Sequence, residues 1–183
     1  MIIETTKLSG LLLIKPAVFG DSRGYFQETW SLRRYTQAGL DRHFVQDNLS
    51  WSKKGILRGL HFQNPRPQGK LVYVLEGEVF DVAVDVRRDS PTFGQWYGAI
   101  LSSENHHQIF IPEGFAHGFC VTSEMALFAY KCTDFYYPEA EHCLQWNDRA
   151  IGIDWPIKDP ELSSKDLEGQ PLNAFPRASL GLW

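Results

Sequence analysis

Between Val79 and Val86 the chain alternates with period two. Phe80, Val82, Val84 and Val86 fall on one side, and Val79, Asp81, Ala83 and Asp85 on the other. That spacing fits a β-strand, whose successive side chains leave opposite faces. One face is apolar and the other carries two carboxylates. Turned outward, Asp81 and Asp85 are only solvated. Turned inward, each needs a partner, and Lys70 on the preceding strand is the obvious one.

Further short β patterns flank this strand. Leu11 to Phe19 reads as a strand ending at Gly20-Asp21, and Leu71 to Leu75 as another ending in a turn at Glu76-Gly77. Trp96 to Leu101, Gln108 to Ile111, Phe119 to Thr122 and Ala126 to Thr133 follow. Many short strands at close spacing predict a sandwich or barrel. A single short helix is expected at Ser31 to Ala38, with Leu32 and Tyr35 on one side and Gly39 as its stop. The tail from about residue 156 is rich in Pro, Gly and Ser and reads as irregular, with a helical turn near Ser163 to Leu167. No repeat or linker divides the 183 residues, so one domain over 1–183 is expected.

Composition narrows the function classes. At 43% hydrophobic the chain can build a core, and at 14% aromatic some rings are available to line a pocket. A net charge of −4 argues against a nucleic-acid surface. No apolar run is long enough to cross a membrane as a helix, and the first ten residues do not read as a signal peptide. Cys120, Cys132 and Cys143 are odd in number and lack a CxxC spacing, which fits reduced thiols in the cytoplasm and gives no zinc signature.

Three segments carry residues suited to chemistry. In Leu57-Arg58-Gly59-Leu60-His61-Phe62-Gln63, strand alternation turns Leu60 and Phe62 away from His61, leaving Arg58, His61 and Gln63 as a polar patch. Either His61 is structural, bonded to a carbonyl, or it belongs to an anion site in which Arg58 grips phosphate oxygens. Pro112-Glu113-Gly114-Phe115-Ala116-His117 resembles the second motif of the cupin barrels, Pro-x-Gly-x-x-His. The first cupin motif needs His-x-His, but Phe62 and Gln63 follow His61. His43, His106, His107 and His142 lie in polar segments and read as surface residues, so a facial metal triad is not supported. In Phe128-Ala129-Tyr130-Lys131-Cys132, Tyr130 shares a face with Phe128 and Cys132 while Lys131 takes the other. Tyr130 is then a core tyrosine, or a proton donor where its hydroxyl opens into a cavity. Phe19 to Glu28 reads as a turn and an edge strand whose aromatics and Arg23 are suited to stacking a base and holding a phosphate.

Taken in order, these segments form a specific set. Phe19-Gly20-Asp21-x-Arg23-Gly24-x-Phe26-x-Glu28, Gln46-Asp47-Asn48, Leu57-Arg58-Gly59-Leu60-His61, Gly69-Lys70-Leu71-Val72, Phe80 to Asp85 and Ser90-Pro91-Thr92-Phe93-Gly94 are followed by Pro112 to Gly118, Tyr130-Lys131 and Ser164-Lys165-Asp166. The chain resembles the dTDP-4-dehydrorhamnose 3,5-epimerase family over Leu11 to Asp166. The resemblance implies an all-β double-stranded β-helix, a cupin-like jelly-roll barrel with a few short helices. It implies a homodimer that needs no metal or organic cofactor and acts on a dTDP-linked 4-keto-6-deoxy sugar. By the same resemblance His61 is the general base, Asp166 its partner, Tyr130 the general acid and Lys70 the oxyanion stabiliser. Arg58 and, from the other subunit, Arg23 hold the diphosphate. Phe19, Phe26, Glu28, Gln46, Asp47 and Asn48 serve the nucleotide and sugar, and His117, Glu141 and Lys165 are further contacts. The chain departs from the family pattern at Asn64-Pro65-Arg66-Pro67 and at its end, Ala178 to Trp183.

The residue types suit the implied reaction. A 4-keto group acidifies the hydrogens on C3 and C5, because either carbanion spreads onto the ketone oxygen as an enolate. Inversion then needs a base on one face and an acid on the other. Histidine accepts a proton near neutral pH, and a buried aspartate fixes its tautomer. An ammonium beside the ketone oxygen meets charge where it develops. Tyrosine stays protonated at pH 7 and can return the proton. No redox step is required, in keeping with the lack of a GxGxxG fingerprint.

Overall fold

The computed structural model describes residues 1–176, so the departure at Ala178 to Trp183 lies outside the described residues. The elements are β1 (Ile2–Thr5), β2 (Leu12–Lys15), β3 (Val18–Asp21), β4 (Gly24–Gln27), α1 (Leu32–Gln37), β5 (Gln46–Lys53), β6 (Leu57–Gln63) and β7 (Lys70–Asp85). They continue with β8 (Trp96–Ser102), β9 (Gln108–Ile111), β10 (Phe115–Cys132), β11 (Glu141–Cys143) and α2 (Ser164–Leu167). The class is all-β, as expected. Nine strands form one antiparallel sheet, and β3 and β4 form a separate ribbon.

The two long strands set the shape. The first residues of β7 pair with β9, and its later residues, from Glu78, pair with β8. Likewise β10 pairs with β6 over His117 to Cys120 and with β5 over Met125 to Cys132. Each long strand therefore passes from one layer to the other, and the jelly roll is two facing layers. The hydrogen-bonded order β1-β2-β9-β7-β10-β6-β11 does not return on itself among the described residues, so the barrel is open. Glu76-Gly77 is not a turn. Gly77 takes φ +81° inside the continuous β7, where the register with β10 shifts, and the strand bends between layers. For the same reason the two strands expected over Phe119 to Thr133 are one.

The period-two pattern of Val79 to Val86 buries both faces. Val79 and Ala83 join Val72, Phe119 and Phe128 in the core between the layers. Val82, Val84 and Val86 join Leu60 and Phe62 on the outside of one layer, where Trp155, Leu172 and Phe175 of the tail cover them. The tail is thus irregular but anchored, with bridges at Ile56–Glu161 and Leu144–Gln170. Tyr35 of α1 covers the other layer with Ile14, Leu71 and Phe110. Leu32, expected beside Tyr35, is exposed. Gly39 ends the helix region at φ +104°. The strand expected over Leu11 to Phe19 breaks after Lys15, because Pro16 has no N–H to donate to a ladder.

Candidate active site

The inner faces of the two layers are apolar at one end and polar at the other. Strand alternation places Lys70 in phase with Val72 on β7, and Tyr130 in phase with Phe128 on β10. On the opposing layer, β6 points His61 inward while Leu60 and Phe62 bury outward. A bulge makes Arg58 share that inner face. Gly59 sits at φ +124°, and the register between β6 and β10 shifts opposite it. A Cβ at Gly59 would lie 2.5 Å from Gly118 Cα, so only glycine allows this close crossing.

Two cavities meet at His61, Lys70 and Tyr130. One, of about 550 Å³, adds Arg58, His117, Ser163, Lys165 and Asp166. The other, of about 310 Å³, adds Gln46, Asn48, Tyr136 and Glu141. Both volumes suit a small-molecule ligand. Because β6 and the C-terminal half of β10 belong to different layers, His61 and Tyr130 rise from opposing walls.

His61 Nε2 lies 2.6 Å from Asp166 Oδ1. The carboxylate can only accept, so this contact assigns the proton to Nε2 and leaves the Nδ1 lone pair available as a base. Asp166 is nearly fully buried and also accepts from Ser163 Oγ at 2.8 Å. Burial pushes its carboxyl upward, but the bonds from His61, Ser163 and the Gly59 backbone outweigh that and hold it below the usual carboxylate range. The Ser163 hydroxyl caps α2 as well, accepting from the Asp166 N–H. That Ser-x-x-Asp capping spacing was readable in the sequence, although Ser163 was not among the expected site residues.

The Lys70 ammonium has no hydrogen-bond or ion-pair partner among the described residues. Desolvation pushes its pKa down, against the pull of the nearby Cys132, Glu141 and Asp81. Burial pushes the Tyr130 hydroxyl up, so it stays protonated well past neutrality. A base and an acid on opposing walls, with an unpaired ammonium at the same junction, can remove a proton from one face of a carbon acid, stabilise its oxyanion and return a proton to the other.

His117 lies at the cavity floor beside His61 in the β6–β10 register, and its Nε2 is 2.8 Å from Asp81 Oδ2. Asp81 does turn inward, but its bonded partner is His117, with Lys70 within electrostatic reach. Asp85 is structural. It accepts the Arg87 guanidinium and the Ser90 and Thr92 hydroxyls, tying down the Ser90 to Gly94 turn. Gln63 is structural too, bonding the carbonyls of Arg66 and Phe135 and the N–H of Tyr137.

Of the remaining expected residues, Gln46, Asn48 and Glu141 line the second cavity and Arg58 and Lys165 the first. Lys165 is ion-paired with Glu141. Asp47 is out of phase with Gln46 and Asn48. It takes the outer face of β5, paired with Lys131 at 2.9 Å, and does not reach the cleft. Phe19, Arg23 and Phe26 sit exposed on the β3–β4 ribbon, outside both cavities of their own chain. Glu28 follows that ribbon and pairs with Arg34 at 3.5 Å. His106, His107 and His142 are half-buried rather than on the surface, and His142 stacks on Phe62. Leu49 and Trp51 at the cavity mouth were not anticipated, since β5 carries no strong apolar pattern.

Among the described residues, one group of three lies close enough to share a metal: His61, Cys143 and Asp166. His61 and Asp166 already bond each other. Cys143 Sγ also faces Asp166 Oδ1, at 3.9 Å, and burial, followed by the Asp166 charge, pushes its thiol up to about 12. The three donors are thus engaged with one another, His61 and Cys143 both directed at Asp166 Oδ1.

Comparison with known proteins gives a single family. The profile of dTDP-4-dehydrorhamnose 3,5-epimerase matches residues 5–174. A protein of that name from Neisseria gonorrhoeae is 57% identical over 93% of this chain, which spans 52% of that longer relative. One from Methanothermobacter thermautotrophicus is 51% identical over 93% of this chain and 94% of its own length. The crystal structure of a dTDP-6-deoxy-D-glucose-3,5-epimerase from Legionella pneumophila, in complex with dTDP-4-keto-L-rhamnose, superposes with a TM-score of 0.93 at 53% identity. That match covers 97% of this chain and 95% of the other. The chain belongs to the dTDP-4-dehydrorhamnose 3,5-epimerase family.

Proposed function

We propose that this protein is an isomerase converting dTDP-4-keto-6-deoxy-D-glucose to dTDP-4-keto-L-rhamnose in dTDP-L-rhamnose biosynthesis, through proton transfer at C3 and C5. The observation that carries the reading is the His61–Asp166 pair facing Tyr130 across a junction that also holds the Lys70 ammonium, unpaired among the described residues. The sugar lies at that junction and the nucleotide extends along the cavities. His61 removes the proton, Lys70 meets the enolate oxygen and Tyr130 returns a proton from the other wall. Both carbons flank one ketone, so a small shift of the ring presents each in turn. Arg58, His117, Gln46, Asn48, Glu141 and Lys165 make the remaining contacts from the same chain. No metal or organic cofactor takes part.

The same reading makes the enzyme a cytoplasmic homodimer. Phe19, Tyr25 and Phe26 are each more than half exposed on a two-stranded ribbon, and Leu49 and Trp51 are equally exposed at the cleft mouth. Apolar surface of this kind is suited to covering by a second copy. Phe19, Arg23, Phe26 and Glu28 then complete the partner's cleft.

Turnover in deuterated water tests the reaction. Double inversion places one solvent deuteron on C3 and one on C5 of an L-lyxo product. Label and inversion at one carbon only, at full turnover, would reduce the enzyme to a mono-epimerase. No label despite binding would remove the catalytic reading.

A further inference from the structure

In the β6–β7 loop, at Asn64-Pro65-Arg66-Pro67, the structure builds a tight set of contacts. The Arg66 guanidinium grips Asp134 with both arms, Nε to Oδ2 at 3.0 Å and Nη2 to Oδ1 at 2.8 Å. It also bonds the Tyr137 hydroxyl and lies 3.8 Å from the centre of that ring. Arg66 itself sits at φ +66°, which L-residues rarely adopt. Its carbonyl accepts from Gln63, and Gln68 donates to the Asp134 carbonyl. These bonds join the β6–β7 loop to the segment after β10.

That segment is the lip of the second cavity. Tyr136 stands on it about half exposed. Its N–H reaches Gln46 Oε1 at 3.0 Å and its hydroxyl reaches Glu141 Oε2 at 2.6 Å, and both partners line the cavity. Gln63 holds the backbone of the lip on either side of Tyr136, and the Arg66 fork, two residues away at Asp134, adds the side-chain tie that orients its start. A bidentate arginine pair restricts direction as well as distance, which a lysine could not do.

We propose that Arg66 and Asp134 form a positioning clasp that sets how tightly the second cavity holds a nucleotide-sugar, by fixing the lip that carries Tyr136. Neither residue touches the reacting atoms. The clasp rests on the proposed function, since it needs that cavity to hold part of the substrate. It predicts a change in affinity without a change in chemistry.

The test uses the full chain with Arg66→Ala, Asp134→Asn and Arg66→Lys. KM and kcat are measured with the 4-keto sugar, and Kd with dTDP-glucose, which lacks the ketone and cannot react. Arg66→Ala and Asp134→Asn should raise KM and Kd roughly two- to fivefold, the scale of a well-formed exposed pair. Both should leave kcat and deuterium uptake per turnover as in wild type. Arg66→Lys, which keeps the charge but loses the fork, should fall between. A lower melting temperature with unchanged KM and Kd would make the pair merely structural and overturn the clasp, as would a fall in kcat at constant KM. Failure of the wild-type protein to bind dTDP-glucose or to exchange would instead overturn the functional reading, so the two failures are distinct.

Discussion

Asp166 on the short helix α2 meets His61 on strand β6 at 2.6 Å, across 105 positions of sequence. This contact joins the tail to the sheet and assigns the imidazole tautomer. It follows that removing each partner should have a different effect. His61→Ala should abolish exchange of the C3 and C5 hydrogens with solvent, a loss of roughly 10²- to 10⁴-fold. Asp166→Asn keeps the imidazole but removes the anion that orients it and stabilises its cation, so exchange should slow by at least about tenfold without vanishing. Proton NMR in deuterated water reads both. Wild-type exchange in His61→Ala would transfer the base role to His117, the other inward histidine.

Tyr130→Phe separates abstraction from inversion. The hydroxyl is needed only when the proton returns, on the wall opposite His61. The variant should still wash label into substrate, because His61 and Lys70 still form the enolate. Product should fall by roughly 10²-fold or more. Equal loss of exchange and of product would place Tyr130 before the enolate instead of after it.

Lys70 sets the alkaline limit. Desolvation lowers its pKa from the ordinary lysine value near 10.4, while burial raises that of Tyr130 from about 10. The two shifts bring the amine's loss of charge to lower pH and move the phenol's ionisation to higher pH. Activity should decline on the basic side as the ammonium that stabilises the enolate becomes neutral. Lys70→Arg keeps a cation at any accessible pH, so its residual activity should hold to higher pH than wild type. A basic limb unmoved by that substitution would assign the titration to another group.

Gly59 controls register. Its φ of +124° and the 2.5 Å approach of a hypothetical Cβ to Gly118 leave no room for alanine. Gly59→Ala should cost more than about 1 kcal/mol of stability, read as a lower thermal midpoint. It should also turn Arg58 and His61 out of their common face, so that activity falls further than stability alone explains.

Much of the site was legible because strand alternation is local. Phase alone told which of Tyr130 and Lys131 faces the same way as Phe128, and that Leu60 and Phe62 leave His61. Phase also places Asp47 opposite Gln46 and Asn48, on the outer face of β5 beside Lys131. What the sequence hid was non-local. Whether Asp81 faced water or the barrel depended on a second layer, and its partner His117 comes from a strand 36 positions away. Glu76-Gly77 looked like a turn because glycine marks both turns and bulges, and only pairing with β10 distinguishes them. The fork at Arg66 needed two loops to meet.

Cleft sharing gives the last test. Arg23 stands on an exposed ribbon, bonded only to Asp21 among the described residues and outside the cavities of its own chain. A homodimer in which ribbons cross makes each cleft a composite of His61 from one chain and Arg23 from the other. Arg23→Ala should then weaken substrate binding, because one arm of the diphosphate clamp is lost, while His61→Ala removes the base. Each variant alone should be impaired in every cleft. If the two are mixed, partly unfolded and refolded together, some dimers pair one chain of each kind. In such a dimer one cleft carries both substitutions and the other carries neither, so the mixture should show activity at low substrate that neither parent shows. Sedimentation at micromolar concentration should report a dimer for both variants and the wild type. Activity that stays at the sum of the parents after confirmed mixing would assign Arg23 to its own chain's surface. A fully active monomer would remove the shared cleft altogether.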